Sequence, residues 1–314
     1  MTLECLHRGS LFKISKALSF LLERGKEMGY ILTAIGAIGW GISGVCGQYL
    51  FTNYHFDSTT LTTIRMIVSG ILLLGISKCS GNQVTSIFKS KQDVARLFLF
   101  SIFGLLLCQY TYLAAIEYSN SSTATILQAL NVILMAIVIS VWNKSKLKMN
   151  EVISIVLAIL GTFILVTHGN IHAMNVSKLG LFYGLLSACA VVSYTLLSRP
   201  ILSNYGNTTI TGWGMLIGGI SFFFISKQWN ACVYLDLKVL VLLAMIIVVG
   251  TAAGFSLYLK GASLIGPQKA TIVGCLEPVS ATVLSICVLG TSFQVLDCIG
   301  FILILCTVYI CVKG

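Results

Sequence analysis

The chain has 314 residues, of which 57% are hydrophobic and 10% are charged, and its mean hydropathy is +0.94. A water-soluble domain carries about a quarter of its residues as charges, so this composition argues against a soluble fold and for a protein whose solvent is lipid. The net charge of +10 does not mark a nucleic-acid binder, because Lys and Arg fall in short connectors and near the N-terminus rather than on one face.

Residues 1–28 are basic and amphipathic, with Leu11, Phe12, Ile14, Leu18, Phe20 and Leu21 among polar residues. They read as a helix lying on the inner leaflet, as a disordered tail, or as an extended start ahead of an initiator at Met28. The apolar stretch 17–22 is too short for a cleavable signal. Ten apolar blocks follow, at 29–50, 61–79, 94–115, 118–141, 149–167, 179–199, 208–226, 237–259, 264–288 and 292–312. A helix of about 20 residues crosses a bilayer. Backbone groups in lipid must be bonded within the segment, which predicts helices, and no strict alternation suggests strands. In the first block, Gly36, Gly39, Gly41, Gly44 and Gly47 recur at spacings that let a second helix approach closely. His168 and His172 lie in the connector 168–178, but no third ligand accompanies them, so no metal site is expected. The eleven cysteines form no CxxC pair. Eight of them, including Cys46, Cys108, Cys275 and Cys311, lie in or near apolar blocks and read as small hydrophobes.

With the N-terminus inside, fifteen Lys and Arg fall in inner regions and three in outer connectors. That bias predicts both termini in the cytoplasm.

The chain also repeats itself. ATILQALNV at 124–132 matches ATIVGCLEP at 270–278, an offset of 146, and the same offset pairs Gly104 with Gly250 and Tyr112 with Tyr258. At an offset of 149, Thr62, Met66, Gly70 and Ile71 match Thr211, Met215, Gly219 and Ile220. Five blocks per repeat is an odd number, so the halves take opposite orientations. The expected fold is an all-α polytopic membrane protein, with ten transmembrane helices as two inverted five-helix repeats and a substrate site between them.

The stretches IGAIGWGISGVCGQYL (35–50), TTLTTIRMIVSG (59–70), EYSNSSTATILQALN (117–131), LGTFILVTHGN (160–170) and SLYLKGASLIGPQKATIVGCLEPVSATVLSICVLG (256–290) resemble the ten-helix EamA family of the drug/metabolite transporter superfamily. The resemblance spans about residues 29–312 and is strongest to bacterial inner-membrane permeases. It implies a first repeat at 29–167, the outer connector 168–178 and a second repeat at 179–314. It also implies secondary transport of metabolites such as amino acids, driven by an ion or counter-substrate gradient. Two departures stand out. Val132 occupies the place that matches Pro278, and the glutamate expected soon after helices four and nine is replaced by Asn143-Lys144 and Gly290-Thr291.

An ionisable residue in hydrocarbon needs a partner or a wet cavity. Glu277, followed by Pro278, is the leading candidate for substrate or proton handling, and the repeat places Asn131 opposite it. Arg65 is a candidate for a carboxylate, or for pairing with Asp57 or Glu117 at the outer rim. Lys269, two turns before Glu277, either joins the site or snorkels to the inner surface. Asp297 reads as a rim residue. Trp40, Gln48, Tyr112, Gln128, Tyr194 and Tyr258 offer aromatic faces or polar atoms at membrane depth. No phosphate-binding glycine loop is present, so neither a nucleotide nor another cofactor is expected. A channel, a lipid-modifying enzyme and a sensor or scaffold without flux are the alternatives to a transporter. None of the clustered nucleophile, base or metal sets of an enzyme is evident. Oligomeric state is not legible.

Overall fold

The computed structural model describes residues 3–119, 121–167, 177–230, 236–289 and 295–313. Among them are ten helical segments: α1 Leu3–Tyr54, α2 Ser58–Cys79, α3 Lys91–Tyr118, α4 in two pieces Ser121–Ala129 and Asn131–Asn143, α5 Met149–Thr167, α6 Lys178–Tyr205, α7 Asn207–Ile225, α8 Leu237–Ile265, α9 in two pieces Pro267–Gly274 and Leu276–Leu289, and α10 Val295–Lys313. Seven helices are long and apolar enough to cross a membrane, counting the Arg24–Tyr54 part of α1. The chain is therefore an all-α, multi-pass membrane protein.

The ten apolar blocks fall on these ten segments, with shifted ends. The fourth begins at Ser121 rather than 118, because α3 runs to Tyr118. The eighth runs on to Ile265 and stops at Gly266, whose φ of +88° suits glycine alone. From Leu3 the backbone is helical and enters α1 without a break. The side chains of 3–23, those of Leu11 to Leu21 among them, lie outside the described residues, as do His168, His172, Gly290, Thr291 and the side chain of Asp297.

The surface is inverted relative to a soluble protein. Ile31, Ile35, Ile71, Phe103, Ile137 and Phe182 face outward, while Thr62, Ser69, Gln109, Thr195 and Ser198 are buried. Lipid is as apolar as the side chains facing it, so close packing and interior hydrogen bonds hold the helices together. Helix α2 lies antiparallel against α7. Near one end Thr60 donates to Gln228 Oε1 at 2.8 Å, and near the other the Ser77 and Thr209 hydroxyls are 2.6 Å apart. Between them, a Cβ on Gly70 would stand 2.6 Å from the backbone of Leu216, and one on Gly219 would stand 2.9 Å from that of Ile67.

Helix α1 is gripped still more tightly, as its glycine spacing predicts. An added Cβ on Gly36 would meet the Gly254 carbonyl at 2.7 Å, on Gly39 the Val249 carbonyl at 2.8 Å, and on Gly41 the Glu277 carbonyl at 2.5 Å. These contacts press α1 against α8 and α9 and bring Trp40 and Ser43 toward the centre.

Two irregularities recur in both halves. Phe100–Leu106 of α3 and Met245–Ala253 of α8 are wound as π-helix, at places related by the 146-residue offset. Helices α4 and α9 each break, at Leu130 and Cys275. In α9, Pro278 has no N–H to return to the preceding turn. In α4 the matching residue is Val132, so another device operates. The Asn131 side chain donates to the Gln128 carbonyl at 2.6 Å, competing with the helical ladder for that acceptor.

Gly36→Ala should cost about 1–3 kcal/mol through overpacking and lower the unfolding temperature in detergent. Gly75→Ala, where a Cβ meets nothing within 4 Å, should leave it unchanged. Equal melting of the two variants would contradict the α1–α8 packing.

Candidate substrate-binding site

The π-turns and helix breaks surround the same volume. A central cavity of about 30 Å³, room for a water or two, is bordered by Trp40 and Ser43 of α1, Arg65 of α2, Cys108, Gln109 and Tyr112 of α3, Gln128 of α4, Val191 and Tyr194 of α6, Gly250 and Phe255 of α8, and Glu277 of α9. A second space of similar size abuts it. It shares Trp40, Gln128, Val191 and Glu277 and adds Thr125, Asn131, Tyr258 and Thr271. Helices from both halves supply the lining, and Asn131 and Glu277 stand just past the two breaks. A break frees backbone groups and brings polar atoms to bilayer depth, tolerable only where they line a cavity.

Arg65 and Glu277 are 5% and 8% exposed. Among the described residues neither has an ion-pair partner; the salt bridge found there joins Arg96 to Asp93 at 3.0 Å. Arg65 Nε and Glu277 Oε1 are buried without a hydrogen bond. The rim pairing considered for Arg65 is not what the structure contains. Asp57 instead caps α2 by accepting from Thr60 N at 2.6 Å, and Glu117 accepts from Ser58 N at 3.0 Å. Both carboxylates serve the orphan N–H groups of a helix start, leaving the guanidinium to the cavity.

Aromatic rings form one wall. Trp40 lies 4.6 Å from Tyr258, 5.0 Å from Phe255 and 6.5 Å from Tyr194, centroid to centroid, and Tyr194 and Phe255 are 5.5 Å apart. Such tilted and edge contacts make a rigid apolar surface. Its polar tips are poorly served: Trp40 Nε1 and the hydroxyls of Tyr194 and Tyr258 make no hydrogen bond of good geometry, the two hydroxyls lying near Thr195. Tyr112 differs, its hydroxyl lying 3.1 Å from Thr125 Oγ1.

The structure thus brings Trp40, Arg65, Tyr112, Gln128, Asn131, Tyr194, Tyr258 and Glu277 together, and leaves Lys269 and Gln48 elsewhere. Lys269 borders a separate cavity of about 640 Å³ between the ends of α4, α6, α8 and α9, with Trp142, Arg199, Pro267 and Gln268. Its ammonium stands 6.0 Å from the Tyr30 ring. Gln48 accepts from Ser121 beyond the far side of the central cavity. Sequence reasoning missed Ser43, Gln109, Thr125, Phe255 and Thr271. The available signal was the repeat, which pairs Gln109 with Phe255 and Thr125 with Thr271. Gln109 is fully buried, with Nε2 2.7 Å from Met215 Sδ and Oε1 unpaired. Among the described residues no group of three or more His, Cys, Asp or Glu is placed to hold a metal, and the nine cysteines described are free thiols.

The EamA-like transporter family model matches the chain twice, over residues 27–167 and 178–313. The uncharacterized inner membrane transporter YicL of Salmonella typhimurium is 36% identical over 280 residues, covering 89% of this chain and 93% of that protein. An uncharacterized transporter of Clostridium kluyveri is 24% identical over 285 residues, covering 89% and 91%. A solved crystal structure superposes with a TM-score of 0.72 at 16% identity, over 89% of this chain and 94% of that one, a likeness of fold alone.

The unpaired groups predict an unusual stability pattern. A buried hydroxyl that makes no bond costs desolvation, whereas a bonded one contributes about 1 kcal/mol. Tyr194→Phe should therefore leave the detergent unfolding temperature unchanged or raise it, and Tyr112→Phe should lower it. Destabilisation of Tyr194→Phe by as much as Tyr112→Phe would show that the Tyr194 hydroxyl is bonded after all.

Proposed function

Because the chain belongs to the EamA-like transporter family and is a multi-pass membrane transporter, we propose that it carries a small amphipathic zwitterion, amino-acid-like in its charges, by alternating access. One observation carries this reading. A guanidinium, Arg65, and a carboxyl group, Glu277, border one buried cavity, and among the described residues neither has an ion-pair partner. A buried charge without a partner is costly. A zwitterion would relieve both, its carboxylate meeting Arg65 and its ammonium meeting Glu277. The guanidinium fork suits a carboxylate. The substrate's apolar part would lie against the Trp40, Tyr194, Phe255 and Tyr258 wall.

Alternating access is supported by the pairing of the halves. Helices α2 and α7 match in sequence yet run antiparallel against each other, as halves of opposite orientation would. A protein built so has two packings of similar energy, each opening the central site to one side. On the charge bias of the connectors, the 640 Å³ cavity with Arg199 and Lys269 faces the cytoplasm of a bacterial cell, and both termini lie there. A proton or counter-substrate would supply the driving force, with Glu277 as the group able to carry a proton.

The test is counterflow in proteoliposomes. Loaded vesicles should exchange a labelled amino acid with saturation, and the matching decarboxylated amine and deaminated acid should each compete at least tenfold more weakly, the loss of a charge-assisted bond. Glu277→Gln and Arg65→Gln should each cut exchange by about tenfold or more while eluting as the folded protein does. Wild-type flux in Glu277→Gln at every pH from 5 to 8 would remove that residue from the mechanism. Equal competition by the amine or the acid would remove the zwitterion.

A further inference from the structure

The two halves supply the same pair of side chains at the same place, and the structure holds the two pairs in different states. Tyr112 and Thr125 of the first half match Tyr258 and Thr271 of the second at the 146-residue offset. In the first half the tyrosine hydroxyl and Thr125 Oγ1 are 3.1 Å apart and bonded, joining α3 to α4. In the second half the equivalent bond joining α8 to α9 is absent. The Tyr258 hydroxyl, on a residue 1% exposed, makes no bond to Thr271 and stands beside Thr195 and Tyr194 of α6 instead, and Thr271 Oγ1 donates to its own helix, to the Gln268 carbonyl at 2.8 Å. Both residues border the same cavity, so nothing in their burial separates them from the bonded pair.

The ends of the molecule show the same asymmetry. Two pairs of close contacts set the register of α1 against α6. Gly29 meets Ile265 as Gly180 meets Ser119, and Gly250 meets Ser43 as Gly104 meets Tyr194, an α1-to-α6 offset of 151. On that register Gln48 matches Arg199, and Ser121 matches Pro267. Gln48 Oε1 accepts from both the backbone N–H, at 3.4 Å, and the hydroxyl of Ser121, clasping α1 to the start of α4. Arg199 has no acceptor and Pro267 has neither an N–H nor a hydroxyl. No such clasp can form there, and those two residues border the 640 Å³ cavity.

We propose that Thr125 and Thr271 are positioning residues of the transport cycle: each bridges to the tyrosine of its own half, and the two bridges are made alternately, the made one closing its end. This rests on the alternating-access reading. The end near Thr125 has a bridge and a clasp to close it, the end near Thr271 only a bridge, which is not made here. The chain therefore favours the state open at the Arg199 end, where the structure has the larger cavity, about 640 Å³ against about 390 Å³ beside Gln48. The Tyr258–Thr271 bond is one that only the opposite state gains, and it favours that state once substrate fills the central site.

The test reads which end is open. Ile139, which borders the 640 Å³ cavity, is replaced by Cys with the native cysteines kept, and maleimide modification at position 139 is followed by peptide mass spectrometry in lipid vesicles. Thr125→Val should lower the open-to-closed ratio at the Arg199 end about fivefold, the change for one lost hydrogen bond, and slow modification in proportion to the open population lost. Thr271→Val should leave the rate unchanged or raise it, and should slow counterflow. The serine variants at both positions should restore wild-type values. Tyr112→Phe and Tyr258→Phe remove the same two bonds from the other partner and must reproduce the respective directions, which covers a valine variant that does not fold. Shifts of the same direction for both halves, or none in either, overturn the proposal. Opposed shifts without counterflow of any solute would leave the bridges standing and remove the transport reading. Saturable counterflow with no difference between the halves would do the reverse.

Discussion

A charge inside a bilayer must find an opposite charge, a water-filled space or a ligand, and this protein supplies only the space. Arg65 and Glu277 line one small cavity without pairing. The carboxylates best placed by sequence to neutralise Arg65 are committed to the start of α2. The aromatic wall fills one side, and the unbonded Arg65 Nε, Gln109 Oε1 and Glu277 Oε1 border the gap. A stability-optimised interior would pair such groups or replace them with hydrocarbon. Retaining them is intelligible when something else completes the set for part of the time.

Small residues make that arrangement possible. The glycines of α1 let backbone lie on backbone, so that Gly41 touches the chain at Glu277 and Gly36 touches α8 beside Tyr258. The same closeness on the α2–α7 seam, through Gly70 and Gly219, locks the two halves together along matched surfaces. A helix held by shape rather than by bulky side chains can slide or tilt with little repacking, as an interconversion between two similar packings demands.

The two halves share π-turns in the third helix and breaks in the fourth, yet reach the breaks by different means. Pro278 withholds an N–H, and Asn131 diverts a carbonyl with its side chain. The geometry at the centre is thus common to both repeats while its chemistry is not. One break presents an amide and the other a carboxylate. That difference makes the two sides of the central cavity chemically unlike.

Much of this was written in the chain's local pattern. The ten apolar blocks, the glycine stripe of α1 and the doubling at 146 residues are all short-range or periodic features, and each block falls on a helical segment, although the first helix starts at Leu3 and the eighth runs on to Ile265. Glu277 and Asn131 could be singled out because a polar residue in an apolar block is conspicuous by itself. Convergence is another matter. That Arg65 turns to the cavity and not to Asp57, that Lys269 belongs to a mouth rather than to the centre, that Gln109 and Thr271 face adjoining spaces, and that one tyrosine bridge is made while its twin is not, all depend on how distant helices cross. Hydropathy by itself determined which segments lie in lipid, because transfer from water is a property of each segment alone. Only the tertiary structure decided which polar atoms remain unpaired, because a hydrogen bond or ion pair exists only between groups that packing brings within about 3–4 Å.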